Sequence, residues 1–246
     1  GITRSWNPDE QKDWKCPVII DNMMNLELLM WAFTETGDST YLKTAVCHAD
    51  HTILNHFRED YSSYHVVNYD PVTGDAMFKG THQGLSDDSA WARGQAWGLY
   101  GYTMMYRFTS DDRYLNQAEK IAEYITSFPV MPADKIPYWD FMAPKDGEWT
   151  PRDASAGALY ASALLELSTY VEADLSEGYR EYAIDILKSL SSKEYTAARG
   201  TNGRFLLRHS TTSFPAGREI DKPLNYADYY YLEALLRLKN ILDSEK

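Results

Sequence analysis

The feature that most constrains the fold is a repeat of apolar helical segments, each with an aspartate near its start. These aspartates are Asp21, Asp88, Asp153 and Asp228, spaced 67, 65 and 75 residues apart. Ala, Gly, Leu and aromatic residues surround nearly the whole circumference of each segment, a pattern typical of buried helices. The sequence therefore predicts four buried inner helices.

A more polar helix is predicted after each of the first three apolar ones. Its start signals begin at Gly37, Ser110 and Ser176, where Asp or Ser oxygens can accept the free backbone N–H groups of a first turn. In the second polar helix, apolar residues recur at helical spacing, namely Leu115, Ala118, Ile121, Ala122 and Ile125. Such helices are amphipathic and are expected to face outward.

Together these segments form a helical hairpin repeat of about 65 to 75 residues, longer than the periods of common helical solenoids. The repeat favours an all-α fold of the α/α toroid type, in which a closed barrel has six hairpins. The chain holds about seven major helices, whereas a closed barrel needs twelve. We therefore expect residues 1–246 to form a single toroid domain that lacks about two N-terminal hairpins, as an incomplete C-terminal portion of a longer protein.

Three long connections are expected to meet at one rim of the ring, at 61–87, 130–152 and 193–224. Connections of more than about 15 residues are usually functional. Two of them contain strand-like stretches, at 63–69 and 203–209. The rim is therefore where a site is expected.

Composition excludes several functions. The chain of 246 residues has 24 Lys and Arg against 36 Asp and Glu, a net charge of −12 that disfavours nucleic-acid binding. An acidic ligand would need a local cationic pocket.

No apolar run is long enough to span a membrane. Cys16 and Cys47 provide neither a disulfide framework nor a zinc quartet. Aromatic residues make up 14%, and they either line a carbohydrate site or fill the core.

Asp21 follows the apolar run Val18–Ile20 and opens the first inner helix. One interpretation is a plain N-cap. The other is a carboxyl group at the mouth of the ring, whose apolar neighbours would raise its pKa and allow proton donation near neutral pH. Spacing alone leaves both open.

The segment 80–98 is the richest in chemical groups. His82 and Gln83 lie in a loop just before the second inner helix, and Trp91 and Trp97 lie on its first turns. Each tryptophan either belongs to the core or stacks on a sugar ring.

Arg93 shares a helix face with Trp97 and needs an anionic partner, because an unpaired buried charge is costly. That partner is either Asp87 or Asp88, or a substrate carboxylate held by two hydrogen bonds.

The remaining motifs predict no metal and no cofactor. His48 and His51 are three residues apart on an outer helix, but no third ligand is evident, which favours a solvated face. A lone histidine such as His65 is more often structural than catalytic. The sequence lacks a Gly-rich phosphate loop and a nucleophile elbow.

Several blocks in order along the chain resemble the unsaturated glucuronyl hydrolases, glycoside hydrolase family 88. The matching blocks are 19–26, 63–65, 81–84, 91–98, 138–141, 152–156 and 227–235. The resemblance implies a six-hairpin α/α barrel. It also implies a substrate left by polysaccharide lyases, an oligosaccharide with a 4,5-unsaturated uronic acid at its non-reducing end. The enzyme hydrates the vinyl ether: a carboxyl group protonates carbon 4, water adds at carbon 5, and the resulting hemiketal opens to release the saccharide.

Carried over residue by residue, the resemblance implies that Asp21 is the general acid/base. The residues implied at the unsaturated sugar are His65, Gln83, Arg93 and Trp97, with His82 and Trp91 beside them. The family has a second essential Asp in an earlier segment, which precedes the matching region. We therefore expect the missing N-terminal segment to be a partner of this chain, and the activity of the chain alone stays open.

Several related functions remain as alternatives. The unsaturated rhamnogalacturonyl hydrolases, a sister family, tend toward Arg-Gly-Asn-Gly-Trp, whereas Arg93–Trp97 here read Arg-Gly-Gln-Ala-Trp, which favours the glucuronyl family. Two further hypotheses are a noncatalytic helical-repeat saccharide-binding protein and a toroid glycosidase of another family. Family members that accept sulfated substrates carry a Ser-x-x-Ser-x-Lys pattern; here Ser210 and Ser213 fit and Pro215 replaces the lysine. A bacterial periplasm or cytoplasm is expected from the family alone, with neither nucleic acid nor membrane as a partner.

Overall fold

The computed structural model describes residues 2–9, 12–144 and 149–245. Seven α-helices of the described chain alternate between inner and outer positions, as the repeat predicts. They are α1 (Leu26–Thr36), α2 (Ser39–His56), α3 (Ala92–Thr109), α4 (Asp112–Ser127), α5 (Ala154–Leu167), α6 (Ala173–Leu190) and α7 (Asn225–Ser244). Within this described part, every helix is too short or too polar to cross a membrane.

The inner helices α3 and α5 form the centre of the core. Every residue of α5 is buried, and so is every residue of α3 from Ala92 to Met105. Helix α5 packs against α3, α6 and α7. Small residues also permit other segments to approach the core closely; at Gly101, for example, the backbone of α3 lies directly against Met23, in the segment before α1. The prediction of fully buried inner helices is confirmed for α3 and α5.

The prediction is wrong for α1 and α7, which each expose one apolar face. Leu28 on α1 is 67% exposed and Leu232 on α7 is 52% exposed, and Trp31 and Leu236 are exposed beside them. The physical reason is that α1 packs against α2 and α3, and α7 against α5 and α6, on one side each. These faces carry the same residue types as the buried ones but have no such neighbour in the described chain.

The outer helices begin at two of the three predicted signals. The Asp38 carboxylate accepts from the backbone N–H of Thr40 at 2.9 Å, and Asp111 accepts from Arg113 at 3.0 Å. These N-caps are confirmed. The third start, at Ser176, is wrong, because α6 begins earlier, at Ala173.

A three-stranded antiparallel sheet lies beside the helices. Its strands are β1 (Pro17–Ile19), β2 (Val66–Tyr69) and β3 (Ala76–Gly80), in the order β1-β2-β3. Strand β2 confirms the first strand-like stretch. Strands β1 and β3 lie outside both predicted strand-like stretches and are an addition to the expected all-α fold. The sheet positions the site, because β1 leads directly into Asp21 and β3 leads into the loop that holds His82.

The second strand-like stretch, 203–209, is not a regular strand. It follows a 3-10 turn at Asn202–Arg204 and makes a single β-bridge. The Asp228 carboxylate accepts from the backbone N–H groups of Leu206 and Leu207, both at 2.8 Å. A side chain therefore takes the hydrogen bonds that a partner strand would have made.

The Gly101 contact predicts a stability difference between two glycines. A Cβ at Gly101 would lie 2.5 Å from Met23 Cβ, whereas one at Gly178 in α6 would meet nothing within 4 Å. We expect Gly101→Ala to lower the free energy of unfolding by about 1–3 kcal/mol, because overpacking forces atoms apart. Gly178→Ala is the matched control and should raise it by up to about 1 kcal/mol. Urea denaturation measures both, and equal effects would contradict this packing.

Candidate active site

Asp21 lies in a 3-10 segment, Ile20–Asn25, between β1 and α1. The N-cap positions here are Ile19 for the 3-10 segment and Asn25 for α1. The plain N-cap interpretation of Asp21 is therefore wrong. The segment is tied to the sheet, since the Ile20 backbone N–H donates to the His65 carbonyl at 3.0 Å. This bond brings Asp21 next to the His65 side chain.

The Asp21 carboxyl group is largely removed from water. Its Oδ2 is buried and lies 3.6 Å from His65 Nε2, while 27% of the side chain remains exposed. Burial raises the pKa of Asp21 from an ordinary 3.8 to about 6. The charge of Arg93, the Asp21 backbone N–H and the Trp97 indole lower this pKa but do not outweigh burial. The group can therefore carry a proton near neutral pH.

His65 is buried as one defined neutral tautomer. Its Nδ1 accepts from the backbone N–H groups of His82 and Gln83, both at 3.1 Å. The ring hydrogen therefore resides on Nε2, which faces the Asp21 carboxyl. Burial, aided by the charges of His82 and Arg93, lowers the pKa of His65 well below its ordinary value. Neutral His65 thus offers a hydrogen-bond donor to Asp21.

Arg93 is a buried cation with protein partners. Its Nη1 lies 2.5 Å from Asp153 Oδ2, and its two terminal nitrogens donate to the carbonyl oxygens of residues 211–212 at 2.7 Å. Only 2% of its surface is exposed. The expected ion pair with Asp87 or Asp88 is therefore wrong, because the N-terminus of α5 supplies the carboxylate instead.

Trp91 is buried and lies between the His65 ring and the Arg93 guanidinium. Its ring centroid lies 4.6 Å from that of His65, and the Arg93 guanidinium lies 4.4 Å from the ring. A guanidinium over an indole face is a favourable cation–π contact. Of the two interpretations, the position of Trp91 favours the core.

Trp97 lies on the next turn of α3, beside the aromatic residues of α7. Its ring centroid is 6.2 Å from that of Tyr226 and 5.7 Å from that of Tyr230. Its indole nitrogen acts on the Asp21 carboxyl, whose pKa it lowers. Trp97 therefore joins the aromatic residues of α7 to the Asp21 carboxyl.

Gln83 and His82 diverge from the loop after β3. The Gln83 side-chain amide donates to the Thr212 carbonyl at 2.8 Å, the same carbonyl that Arg93 contacts. The His82 ring lies further out, 3.2 Å from Lys12 Nζ and 5.9 Å between centroids from Trp6. Gln83 thus belongs to the Arg93 network, and His82 to an aromatic rim.

Three buried polar atoms around Asp21 have no hydrogen-bond partner of ordinary length among the described residues. They are Asp21 Oδ2, His65 Nε2 and Trp97 Nε1. Buried polar groups are normally paired, and each exception requires an explanation. They come from three separate elements and converge, which is typical of groups arranged for a ligand.

The sequence did not assign three features of this site. Asp153 pairs with Arg93, and its sequence signal was only a charged helix start. Tyr226 lies beside Trp97, and the carbonyl oxygens of residues 211–212 gave no signal, because backbone groups carry none. Ser210 and Ser213, the two serines of the sulfate-type pattern, are buried here.

The expectation of a solvated face at His48 and His51 is wrong for His48. His48 is fully buried, and its Nδ1 accepts from the Thr3 backbone N–H at 3.1 Å. Burial lowers the pKa of His48 to about 4. The described ranges contain no group of three or more His, Cys, Asp or Glu residues placed to hold a metal ion.

The helices and the site together define an α/α toroid protein with a protonatable carboxyl group at one rim. No family model matches the sequence. The chain is 48% identical to an unsaturated glucuronyl hydrolase of Formosa agariphila, over 97% of this chain and 58% of that protein. It is 37% identical to an unsaturated chondroitin disaccharide hydrolase of Streptococcus agalactiae, over 96% of this chain and 59% of that protein.

Two crystal structures are similar to it. One is an unsaturated glucuronyl hydrolase specific for heparin, with a TM-score of 0.94 and 53% identity, over 98% of this chain and 64% of that chain. The other, an unsaturated glucuronyl hydrolase from Bacillus sp. GL1, has a TM-score of 0.88 and 34% identity, over 97% of this chain and 63% of that chain. The chain is homologous to unsaturated glucuronyl hydrolases along nearly its whole length, and it spans about three fifths of the length of these relatives. The toroid fold and the resemblance expected from the sequence are thereby confirmed.

The raised pKa of Asp21 predicts a pH-dependent effect of Asp21→Asn. Native Asp21 favours its proton, so its contribution to stability is complete below pH 3.8 and is lost as pH rises through about 6. The loss amounts to at most about 3 kcal/mol, from 1.36 kcal/mol per pKa unit. Asp21→Asn avoids this loss and should stabilise the chain more at pH 8 than at pH 4, as measured by urea denaturation.

The control for this prediction is Asp111→Asn. Hydrogen bonds from Arg113 lower the pKa of Asp111, so the charged form is the stabilising one. Its removal should lower the free energy of unfolding at pH 8. If Asp21→Asn had the same effect at both pH values, the Asp21 carboxyl would have an ordinary pKa.

Proposed function

We propose that this chain carries the proton-donating part of the active site of a hydrolase acting on lyase-generated oligosaccharides. The reaction releases the non-reducing-end 4,5-unsaturated uronic acid by hydration of its double bond. The observation that carries this proposal is the convergence of two buried donors without ordinary partners, His65 Nε2 and Trp97 Nε1, on Asp21, a carboxyl group with a pKa of about 6. The similarity of the chain to unsaturated glucuronyl hydrolases supports it.

The chemistry assigned to Asp21 is protonation of the vinyl ether. Protonated Asp21 donates its proton to carbon 4, and the double-bond electrons form the new carbon–hydrogen bond. Positive charge develops at carbon 5 and on the ring oxygen. Water adds at carbon 5 and gives up one proton to the Asp21 carboxylate, which restores the acid. The hemiketal then opens, and the bond to the remaining saccharide breaks. A pKa near the working pH suits a general acid, because the proton is both available and readily lost.

His65 stabilises the carboxylate that proton transfer leaves behind. Its Nε2–H lies 3.6 Å from Asp21 Oδ2, and both backbone bonds to Nδ1 hold the ring in this tautomer. A contraction of a few tenths of an ångström would form an ordinary hydrogen bond. Hydrogen-bond donors that already lie where negative charge develops lower the activation barrier, because the protein does not have to rearrange during the reaction.

The substrate of this reaction carries a carboxylate, although the chain has a net charge of −12. Arg93 supplies local positive charge and orders the carbonyl groups of residues 211–212, while Gln83 binds the same backbone. We assign to Arg93 and Gln83 the shaping of the wall that the uronate contacts. Trp97 and Tyr226 provide the aromatic surface next to it.

We also propose that further helical hairpins complete the toroid. The apolar faces of α1 and α7, with Leu28, Trp31, Leu232 and Leu236 exposed, support this proposal. So does the length of the relatives, of which this chain spans 58% to 64%. A second essential carboxylate, as the family resemblance implies, would then reach the site from the added segment.

The relatives direct the choice of test substrates. The structure with 53% identity is of an enzyme specific for heparin, and a Streptococcus agalactiae structure is a complex with dGlcA-GalNAc6S. We therefore propose a glycosaminoglycan fragment as substrate and name unsaturated heparin and chondroitin disaccharides as the probes.

The function is tested through the ultraviolet absorbance of the conjugated double bond. We expect the chain extended by its upstream helices to abolish this absorbance with at least one of the two disaccharides. Asp21→Asn should slow the loss by about 10²- to 10⁴-fold, the usual contribution of a general acid. Asp88→Asn, in the loop before α3, is the control and should leave the rate unchanged. A constant absorbance across both disaccharides would contradict the proposal.

The pH dependence of the same rate is a separate prediction. Asp21 must hold a proton to donate one, and its pKa is about 6. We expect kcat/KM to fall roughly tenfold per pH unit above about pH 6, since only the protonated fraction reacts. A rate that instead rises through this range would assign Asp21 the role of a base in the first step.

A further inference from the structure

Asp153 makes two kinds of contact at the N-terminus of α5. Its Oδ1 accepts from the Ser155 backbone N–H at 3.1 Å and from the Ser155 hydroxyl at 2.5 Å, which caps the helix. Its Oδ2 lies 2.5 Å from Arg93 Nη1 on α3. Capping needs only one oxygen and no charge, since Asn caps helices as well as Asp. The second oxygen therefore has a separate task.

The pair of Asp153 and Arg93 is fully enclosed. Asp153 is 0% exposed and Arg93 is 2% exposed. Water cannot screen charges at such a position, so each acts on its neighbours more strongly than a surface group would. The neighbour that matters chemically is Asp21. The Arg93 guanidinium lies 4.4 Å from the Trp91 ring, Trp91 lies 4.6 Å from the His65 ring between centroids, and His65 Nε2 lies 3.6 Å from Asp21 Oδ2. Across this short chain of contacts the charge of Arg93 lowers the pKa of Asp21.

We propose that Asp153 is a positioning residue that offsets the positive charge of Arg93, so that Arg93 shapes the uronate wall without driving the proton off Asp21. An uncompensated Arg93 would favour the Asp21 carboxylate and remove the acid that the reaction needs. The catalytic consequence rests on the proposed function; the electrostatic coupling does not.

Other groups around Asp21 do not replace this effect. The titratable groups that act on the carboxyl from the packed elements are His65 before β2, Arg93 on α3 and Tyr226 on α7. Burial keeps His65 neutral, and it raises the pKa of the Tyr226 phenol, which stays protonated. The cation among them is therefore Arg93, and its direct carboxylate partner is Asp153.

The test is a thermodynamic cycle read from the titration of Asp21. The chain is labelled with ¹³C at aspartate carboxyl groups, and the Asp21 resonance is identified by its absence in Asp21→Asn. In Asp153→Asn we expect the midpoint of Asp21 to fall by roughly half a pH unit or more. In Arg93→Gln we expect it to rise. In the double variant both charges are gone. The Asp21 midpoint should then return toward its native value, and its difference from that value should be no more than about half of the larger single-variant shift.

Glu166→Gln is the matched control. Glu166 lies at the other end of α5 and pairs with Arg237 at 2.7 Å, so its replacement also removes one buried carboxylate charge. It is thirteen residues from Asp153, about 20 Å along the helix. We expect loss of stability but no change in the Asp21 midpoint.

The cycle keeps the inference independent of folding and of activity. If Asp153→Asn does not fold, Arg93→Gln must still raise the midpoint and the neutral double variant must restore it. A midpoint unchanged in all three variants, or changed equally by Glu166→Gln, would overturn the inference and leave Asp153 a helix cap alone. The cycle reads a proton rather than a product, so a negative absorbance assay with a positive cycle would reject the proposed function and retain the coupling.

Discussion

The removal of the Asp21 carboxyl group from water is the constraint on which the site depends. An exposed carboxyl would be ionised at neutral pH and could not donate a proton. Burial opposes ionisation more strongly than Arg93 and Trp97 favour it, and the pKa of about 6 is the balance. The fold supports this balance through the bond between Ile20 and His65, which fixes the loop and the sheet together. The packing of Met23 against Gly101 then seats the same segment on α3.

The site combines an acidic chain with a buried cation. Arg93 provides positive charge where a uronate is proposed to bind, and it also lies close enough to affect Asp21. Attraction of the substrate and retention of the proton are opposing requirements. The Asp153 carboxylate at the N-terminus of α5 pairs with the guanidinium, and we propose that this pair reconciles them. The helical hairpin arrangement makes this possible, because the first turns of α3 and α5 meet at one rim.

The sequence predicted what periodicity and local chemistry encode. Helical spacing and N-cap residues identified the helices, and β-branched residues identified β2, because these signals lie within a few residues of one another. The burial of α1 and α7 was misjudged, since composition shows that a face is apolar but not what covers it. The partner of Arg93 was misjudged because Asp153 lies 60 residues away, whereas two aspartates lie within a few residues of Arg93 in the sequence. The carbonyl groups of residues 211–212 had no side-chain signal to find.

The most direct test of Asp21 as the proton donor to carbon 4 is the position of deuterium in the product of a reaction run in heavy water. Hydration of the double bond predicts one deuterium at carbon 4 of the released uronic acid, with loss of the ultraviolet absorbance. The deuterium should appear on a single face of that carbon, because one fixed carboxyl group delivers it. Release of a sugar that keeps its double bond and carries no deuterium would contradict the account, since the glycosidic bond would then have been hydrolysed directly, without hydration of the double bond.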